Sequence, residues 1–243
     1  TEWPVFVSIA SDALVDGAKV ATSNVPEGYM VVEENGVWTV IEATTVSTAQ
    51  ELATAAAAGQ DVFLTSDITV ANGEVGHPYG DGSVAVYQKG GVINGNGHSL
   101  VVTEGRTNTC GVISAGGTLK NISIDAFRGI QIYNATEKVV LDGVTSKGKN
   151  TCYFFNTAEG NSTQDVELNN CTFGGWGSWS LIKSATFNNC TFVLGEYYTN
   201  IYGRLLKPYV NTVFNNCKFN ADYYLDLSSL GENQTVTFVN CTV

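Results

Sequence analysis

Cys171, Cys190, Cys217 and Cys241 each follow an asparagine, in "LNNC", "FNNC", "FNNC" and "FVNC". Thiols can bridge, ligate a metal or act as nucleophiles. Zinc sites draw on closely spaced Cys or His pairs. Here no C-x-x-C pair occurs, and both histidines, His77 and His98, lie far upstream. A column of small buried side chains is therefore the expectation for these four thiols. If they stack on strands about 4.8 Å apart, one or two bridges stay open as an alternative, because that spacing falls within disulfide reach. Cys110 and Cys152 read as core residues of other strands.

His77 lies in "GEVGHPYGDG", with Glu74 and Asp81 beside it. Oxygen ligands in a long loop would suit calcium, but a solvated loop is the simpler expectation. No cofactor is expected otherwise, and no metal site is assigned. Trp176, Trp179, Tyr197, Tyr198, Tyr202, Tyr209, Tyr223 and Tyr224 crowd the last part of the chain, in segments that read as turns and loops. Exposed aromatics at such density would form a contact surface for sugar rings or a partner protein, or would cover the flank of the fold. N-x-[ST] sequons are frequent. Asn134, Asn161 and Asn233 fall in loops that would accept a glycan in a host that glycosylates. Those at Asn170, Asn189 and Asn240 coincide with the Asn-Cys turns, where a glycan is expected to clash.

The elements that must carry these residues are short strands. From Cys171 the steps to Cys190, Cys217 and Cys241 are 19, 27 and 24 residues. Weaker copies continue upstream and put Val144, Ile122 and His98 in the cysteine frame. A unit this short cannot bury its own apolar face, whereas stacked units can. In "VELNNCTF", apolar and polar residues alternate on either side of two asparagines, which is strand, tight turn, strand. Stacking would set Asn170, Asn189, Asn216 and Asn240 above one another as an amide ladder. A third strand family reads in "GIQIYN", "TCYFFN", "WSLIKS", "GRLLKP" and "YYLDLSS", with Gln131, Tyr153, Lys183 and Asp226 at its outward positions. Three strands per turn of about 24 residues, over some 7–8 coils, describe an all-β parallel β-helix.

From about Val46 the chain resembles the right-handed parallel β-helices of the pectate-lyase-like superfamily. The resemblance rests on "VSTAQELATAAAAGQDVFLTSDITV", "GVINGNGHSLVV" and the "NNCTF" turns, and is closest to non-catalytic surface or adhesin-type members. It implies an N-terminal capping helix. Thr48 and Glu51 make a capping-box pattern for that helix, Leu52, Ala55 and Ala56 its apolar face, and Gly59 its end. Enzymes of this fold cluster Asp with a catalytic Arg or Lys, or carry Gly-His-Gly and Arg-x-Lys elements. Neither set is present, and Asp125, Asp142, Arg128, Arg204 and Lys207 are scattered among turns. No catalytic residue is assigned. Two carboxylates from different coils at glycosidase spacing would still suit an atypical site.

Residues 1–43 stand outside the repeat that occupies 44–243. "PVFVSIA" reads as a strand, and "YMVVEENGVWTVIE" as a hairpin about Glu34-Asn35-Gly36. This N-terminal β segment would be a cap or an assembly element, since an open coil edge invites pairing. At the other end, the chain stops at Val243 inside the strand that should follow the last turn. A cut there, or a last coil stacked on something else, is the expectation.

The net charge of −11 with only 12 Lys and Arg repels phosphate backbones and anionic surfaces, which argues against nucleic-acid partners. No run of about 18 apolar residues marks a spanning helix, so no membrane insertion is expected. Three functions are in view. The first is a non-enzymatic extracellular structural or adhesive module, such as a filament or surface-protein subunit on a cell or virion, self-assembling through its end coils. The second is a polysaccharide lyase or glycoside hydrolase with an atypical site. The third is a carbohydrate-binding module using the Trp/Tyr cluster.

Overall fold

A computed structural model describes residues 29–34, 37–71, 75–76, 83–103, 109–149, 153–157 and 162–243. The "PVFVSIA" strand, the His77 loop with Glu74 and Asp81, Cys152 and Asn161 lie outside the described residues. Strands are numbered in chain order. β1 (Tyr29–Glu34) and β2 (Val37–Glu42) pair antiparallel as a separate two-stranded sheet, as their alternation predicts.

All other pairing is parallel apart from one short rung. One nine-stranded sheet stacks β3 (Thr44–Val46), β4 (Val62–Leu64), β8 (Val92–Asn94), β11 (Gly117–Lys120), β14 (Val139–Asp142), β17 (Asp165–Asn169), β19 (Ser184–Asn188), β22 (Thr212–Asn215) and β25 (Val236–Val239). A fourteen-stranded sheet has two arms. The first holds β5 (Ile68–Val70), β9 (Ser99–Val102), β12 (Ser123–Ala126), β15 (Thr145–Gly148), β18 (Thr172–Trp179), β20 (Thr191–Val193) and β23 (Lys218–Phe219). The second holds β6 (Val75–Gly76), antiparallel to β7 (Ser83–Gln88), then β10 (Cys110–Ser114), β13 (Arg128–Ile132), β16 (Tyr153–Asn156), β21 (Arg204–Pro208) and β24 (Tyr224–Leu225). The chain visits the three arms in turn, giving a nearly closed, solenoid-like stack consistent with a β-helix. β18 serves both arms. Thr172–Gly174 pairs with β15 and β20, and Gly175–Trp179 with β16 and β21.

That double role corrects the reading of "WSLIKS" as a strand. The third strand of this turn is "GWGSW", and Ser180–Lys183 is the bend that leads to β19. The glycines of "GGWGSW" conceal the period of two, and Gly175, at φ +109°, takes the corner.

Alternation decides what goes inside. β17 buries Val166 and Leu168, β19 buries Ala185 and Phe187, and β22 buries Thr212 and Phe214. Stacked copies put like on like. Phe187 lies on Phe214 at 4.8 Å and Phe214 on Phe238 at 5.0 Å, with rings within 20° of parallel. Ring pairs of this kind add to the area that they bury. Helix α1 (Ala49–Ala57) is capped reciprocally: Thr48 Oγ1 accepts the Glu51 N–H, and the Glu51 carboxylate accepts the Thr48 N–H. The Ser47 N–H, which also donates to the Glu51 carboxylate, and then the Thr48 groups hold that carboxyl below its usual range. Leu52, Ala55 and Ala56 join the core, and Gly59, at φ +69°, ends the helix.

Gln131 and Tyr153 alternate with Ile130, Ile132 and Phe154 of the core and so lie on the outward side as expected, yet that side is covered: both are buried and bonded to each other through Tyr153 Oη and Gln131 Oε1 at 2.9 Å. Lys183 and Asp226 are paired with Asp165 and Lys207. Ile122 and Val144 are buried in the cysteine frame. His98 is only half-buried and pairs with Asp67 at 3.4 Å, because the early "GNGH" turn spends both Asn96 and Gly97 in the left-handed region.

Candidate functional site

The Asn-Cys turn is the most repeated chemical feature of the molecule. Asn121, Asn170, Asn189, Asn216 and Asn240 all have φ between +50° and +56°. Asparagine tolerates this conformation better than other non-glycine residues. The N–H groups of Asn121, Gly143, Asn170, Asn189 and Asn216 donate to carbonyls one strand on, at 2.8–2.9 Å. Side chains in this column bond at Asn189–Asn170 (3.4 Å) and Asn170–Asp142 (2.9 Å). The tighter amide ladder lies one residue earlier. Asn188 Nδ2 donates to Asn169 Oδ1, and Asn215 Nδ2 to Asn188 Oδ1, each at 2.8 Å. The repeated "NN" carried this signal, since the first asparagine ends the strand in register while the second turns. The side chains of Asn170, Asn189, Asn216 and Asn240 are exposed. The expected steric clash with a glycan there is therefore not set by burial. Asn134 and Asn233 are exposed as well.

Cys171, Cys190 and Cys217 are buried and Cys241 is half-buried, all as free thiols. Each donates to a carbonyl of a neighbouring strand, as Cys190 does to Leu168 O at 3.3 Å. A hydrogen bond with Cys171, together with burial, pushes the Cys190 thiol up to about 12; Cys217 is raised by its bond with Cys190 and by burial. Such thiols are inert. A native alkylation pulse read by mass spectrometry is expected to modify Cys241 well before Cys110, Cys171, Cys190 or Cys217. Equal labelling of Cys190 and Cys241 would contradict this packing.

The eight aromatics separate by burial, with one buried, three half-buried and four exposed, Tyr224 apart from the other three exposed rings. Trp179 is wholly buried, a correction to its place on a contact surface. Its Nε1 donates to Thr212 Oγ1 at 2.8 Å, and its ring packs on Phe155 and Phe187. The strand period runs through "GWGSW" and turns Trp179 inward. Trp176, Tyr209 and Tyr223 are half-buried. Trp176 packs against Tyr153 and Tyr202, and its buried Nε1 has no hydrogen-bond partner among the described residues. Tyr223 Oη bonds both the N–H and the carbonyl of Gly175 at 3.1 Å. Tyr209 lies under Lys207.

Tyr197, Tyr198 and Tyr202 are 47%, 50% and 42% exposed on a single loop after β20, and Ile201 beside them is also exposed. The loop is closed by Gly195 N–H to Gly203 O at 2.8 Å, and Asn200 Oδ1 accepts the Tyr202 N–H at 3.0 Å. Gly203 is required there, since a Cβ would sit 2.2 Å from Tyr197 O. Beside the loop runs a groove of about 490 Å3 lined by Ser123, Asp125, Thr145, Lys147, Lys149 and Glu196, with Lys149 on Asp125 at 3.0 Å.

The last coil presents a different surface. β25 is the end strand of its sheet; β24 pairs only with β21, and β23 only with β20 besides a bridge from Lys218 to Thr242. Tyr224, Leu227, Phe238 and Val239 are exposed there, and Val243 is 86% exposed. Between them lies an apolar recess of about 350 Å3, with Leu206, Phe219, Tyr224, Leu225 and Phe238 among its walls.

The stronger ion pairs are distributed over the flanks. Asp165 is lowered by Ser184 and Lys183, Glu167 by Lys138 and Asn169, and Asp226 to about 2 by Ser228 and Lys207. Carboxylates held ionised in this way are poor proton donors near neutral pH. Among the described residues no group of three or more His, Cys, Asp and Glu could hold a metal ion, and no helix is long and apolar enough to cross a membrane. No family model matches the chain, and neither a curated protein nor a solved structure matches it.

Proposed function

We propose that this chain is a non-enzymatic structural module of an extracellular surface protein or particle, a right-handed parallel β-helix of the pectate-lyase-like kind that associates through the end of its solenoid. The observation that carries the reading is the stack itself: like lies on like from coil to coil, Phe187 on Phe214 and Asn188 on Asn169, while the charged side chains of the flanks are spent in separate ion pairs. Open backbone donors and acceptors at the end of such a stack are a template for another β surface. The low Lys and Arg content and the exposed asparagine turns support an extracellular setting. Light scattering over a concentration series tests the reading. Mass that rises with concentration is expected, and a monomer at every concentration would sink it.

The tyrosine loop favours a second reading, glycan binding without turnover. Three exposed rings on a closed loop, beside a groove rich in hydroxyl and charged groups, suit stacking combined with hydrogen bonding. Replacing both Tyr197 and Tyr198 by Ala is expected to weaken binding to a responsive glycan by at least tenfold, at about 1 kcal/mol or more per lost ring contact. Unchanged affinity in a glycan array and in calorimetry would exclude this loop.

A further inference from the structure

We infer that the ligand of the tyrosine-loop flank is a neutral oligosaccharide, held in a groove that starts at a break in the asparagine column and ends at Glu196. This inference rests on the glycan-binding reading above, and it names the class of glycan and the residues that select it.

The groove begins where the column loses two side chains. Successive turns place Gly97, Asn121, Gly143 and Asn170 at one position, all with positive φ. The Asn189 amide is spent on Asn170, and the Asn170 amide on Asp142. Asn121 stands between two glycines, so the adjacent turns offer it no side chain. Its amide has no hydrogen-bond partner among the described residues. The two missing side chains leave a polar hollow of about 390 Å3, walled by Asn94, Asn96, Asn121 and Ser123. An amide carries both donors and an acceptor, and a sugar hydroxyl can pair with either.

Ser123 lines this hollow and also the groove of about 490 Å3 along β12 and β15, so the two are continuous. The far wall is Leu194–Glu196, the start of the segment that carries Tyr197 and Tyr198. Amides at one end, the hydroxyls of Ser123 and Thr145 between, and exposed rings at the other suit an extended sugar chain. An extended peptide binds by adding a strand to an open edge. β12 is paired on both sides, to β9 and β15, and β15 to β12 and β18, so no backbone edge is on offer.

Charge selects among glycans. The first hollow has no ionisable side chain. The second has Asp125, Lys147, Lys149 and Glu196, two of each sign, with Lys149 already on Asp125. This balanced groove sits on a chain of net charge −11, whose field repels uronate- or sulfate-bearing polymers and leaves an uncharged one untouched.

The test is calorimetry on the 243-residue chain, at low and physiological salt. Cellohexaose, xylohexaose, mannohexaose and maltohexaose serve as neutral probes, and oligogalacturonate and hyaluronan fragments as acidic ones. At least one neutral probe should bind, with an affinity that salt leaves unchanged. Asn121→Gly keeps the turn, removes the amide and should weaken that probe about tenfold. Gly143→Asn supplies the missing rung. Its φ of +63° suits asparagine, and the atom nearest the new Cβ, at 2.9 Å, is Oδ1 of the Asn121 side chain, which can turn aside. This variant should fill the hollow and lower affinity at least tenfold with no loss in thermal midpoint. Full affinity in both variants, while the Tyr197 and Tyr198 replacement still weakens the probe, would overturn the groove and leave the loop reading standing. An acidic probe that binds more tightly than every neutral one would overturn the class and leave that reading standing. No binding by any probe would overturn both.

Discussion

Trp179→Ala is expected to lower stability by about 3–5 kcal/mol, the range for a fully buried large aromatic. The indole lies at 0% exposure against Phe155, Phe187 and Phe214, in the middle of the stack. Its removal leaves a cavity that rigid strands on all sides cannot close. It also takes the Nε1 donor from Thr212 Oγ1, which keeps only its own bond to Val210 O. Trp179→Phe should recover part of the loss, because the ring volume returns while the N–H does not. Urea midpoints followed by tryptophan fluorescence and circular dichroism would measure both variants. A surface tryptophan would shift stability by no more than about 0.5 kcal/mol, so a shift that small for Trp179→Ala would refute the packing.

Gly117→Ala should cost about 3 kcal/mol, and Gly97→Ala should cost about 1. The pair separates two effects that usually occur together. Both residues have positive φ, +89° at Gly117 and +84° at Gly97, so both pay the strain of an L side chain in that region. Around Gly97 a new Cβ meets nothing within 4 Å, whereas at Gly117 it would lie 2.3 Å from Gly91 O and 2.7 Å from Gly90 C. Those atoms are backbone, and Gly91 O already accepts the Thr118 N–H at 2.9 Å. Moving them breaks the junction between β8 and β11, which adds an overpacking cost of about 1–3 kcal/mol. Equal losses for the two variants would show that the close approach at Gly117 does not exist.

The contrast between legible and hidden features follows from what a period can encode. "VELNN", "ATFNN" and "TVFNN" state strand, register and turn in the same five residues, so the stacked sheet and the cysteine column could be read directly. The helix was equally plain, since Thr48 and Glu51 announce its start. The third arm was harder. Its strands follow turns of unequal length, and at β18 two glycines hide the alternation that would have turned Trp179 inward. The burial of Gln131 and Tyr153 was hidden because period two tells which residues share a face and not whether that face meets water. Tyr197, Tyr198 and Tyr202 were legible as a cluster. The groove beside them was not, because its floor comes from β12 and β15, some 50–70 residues earlier in the chain.

The ladders have a mechanical consequence. Backbone and asparagine hydrogen bonds both run from strand to strand, along the length of the solenoid. Tension applied across its ends would therefore pull on those bonds along their own direction, and the covalent chain, which winds around the axis, would carry little of the load at first. The inter-strand layer with the fewest rungs would part first and release a slack turn of chain before the next layer is loaded. β3 is held by three rungs to β4, whereas β17 and β19 share five in one arm alone. Stretching this molecule should then give a saw-tooth of small steps, each the length of one turn, beginning at the β3 end.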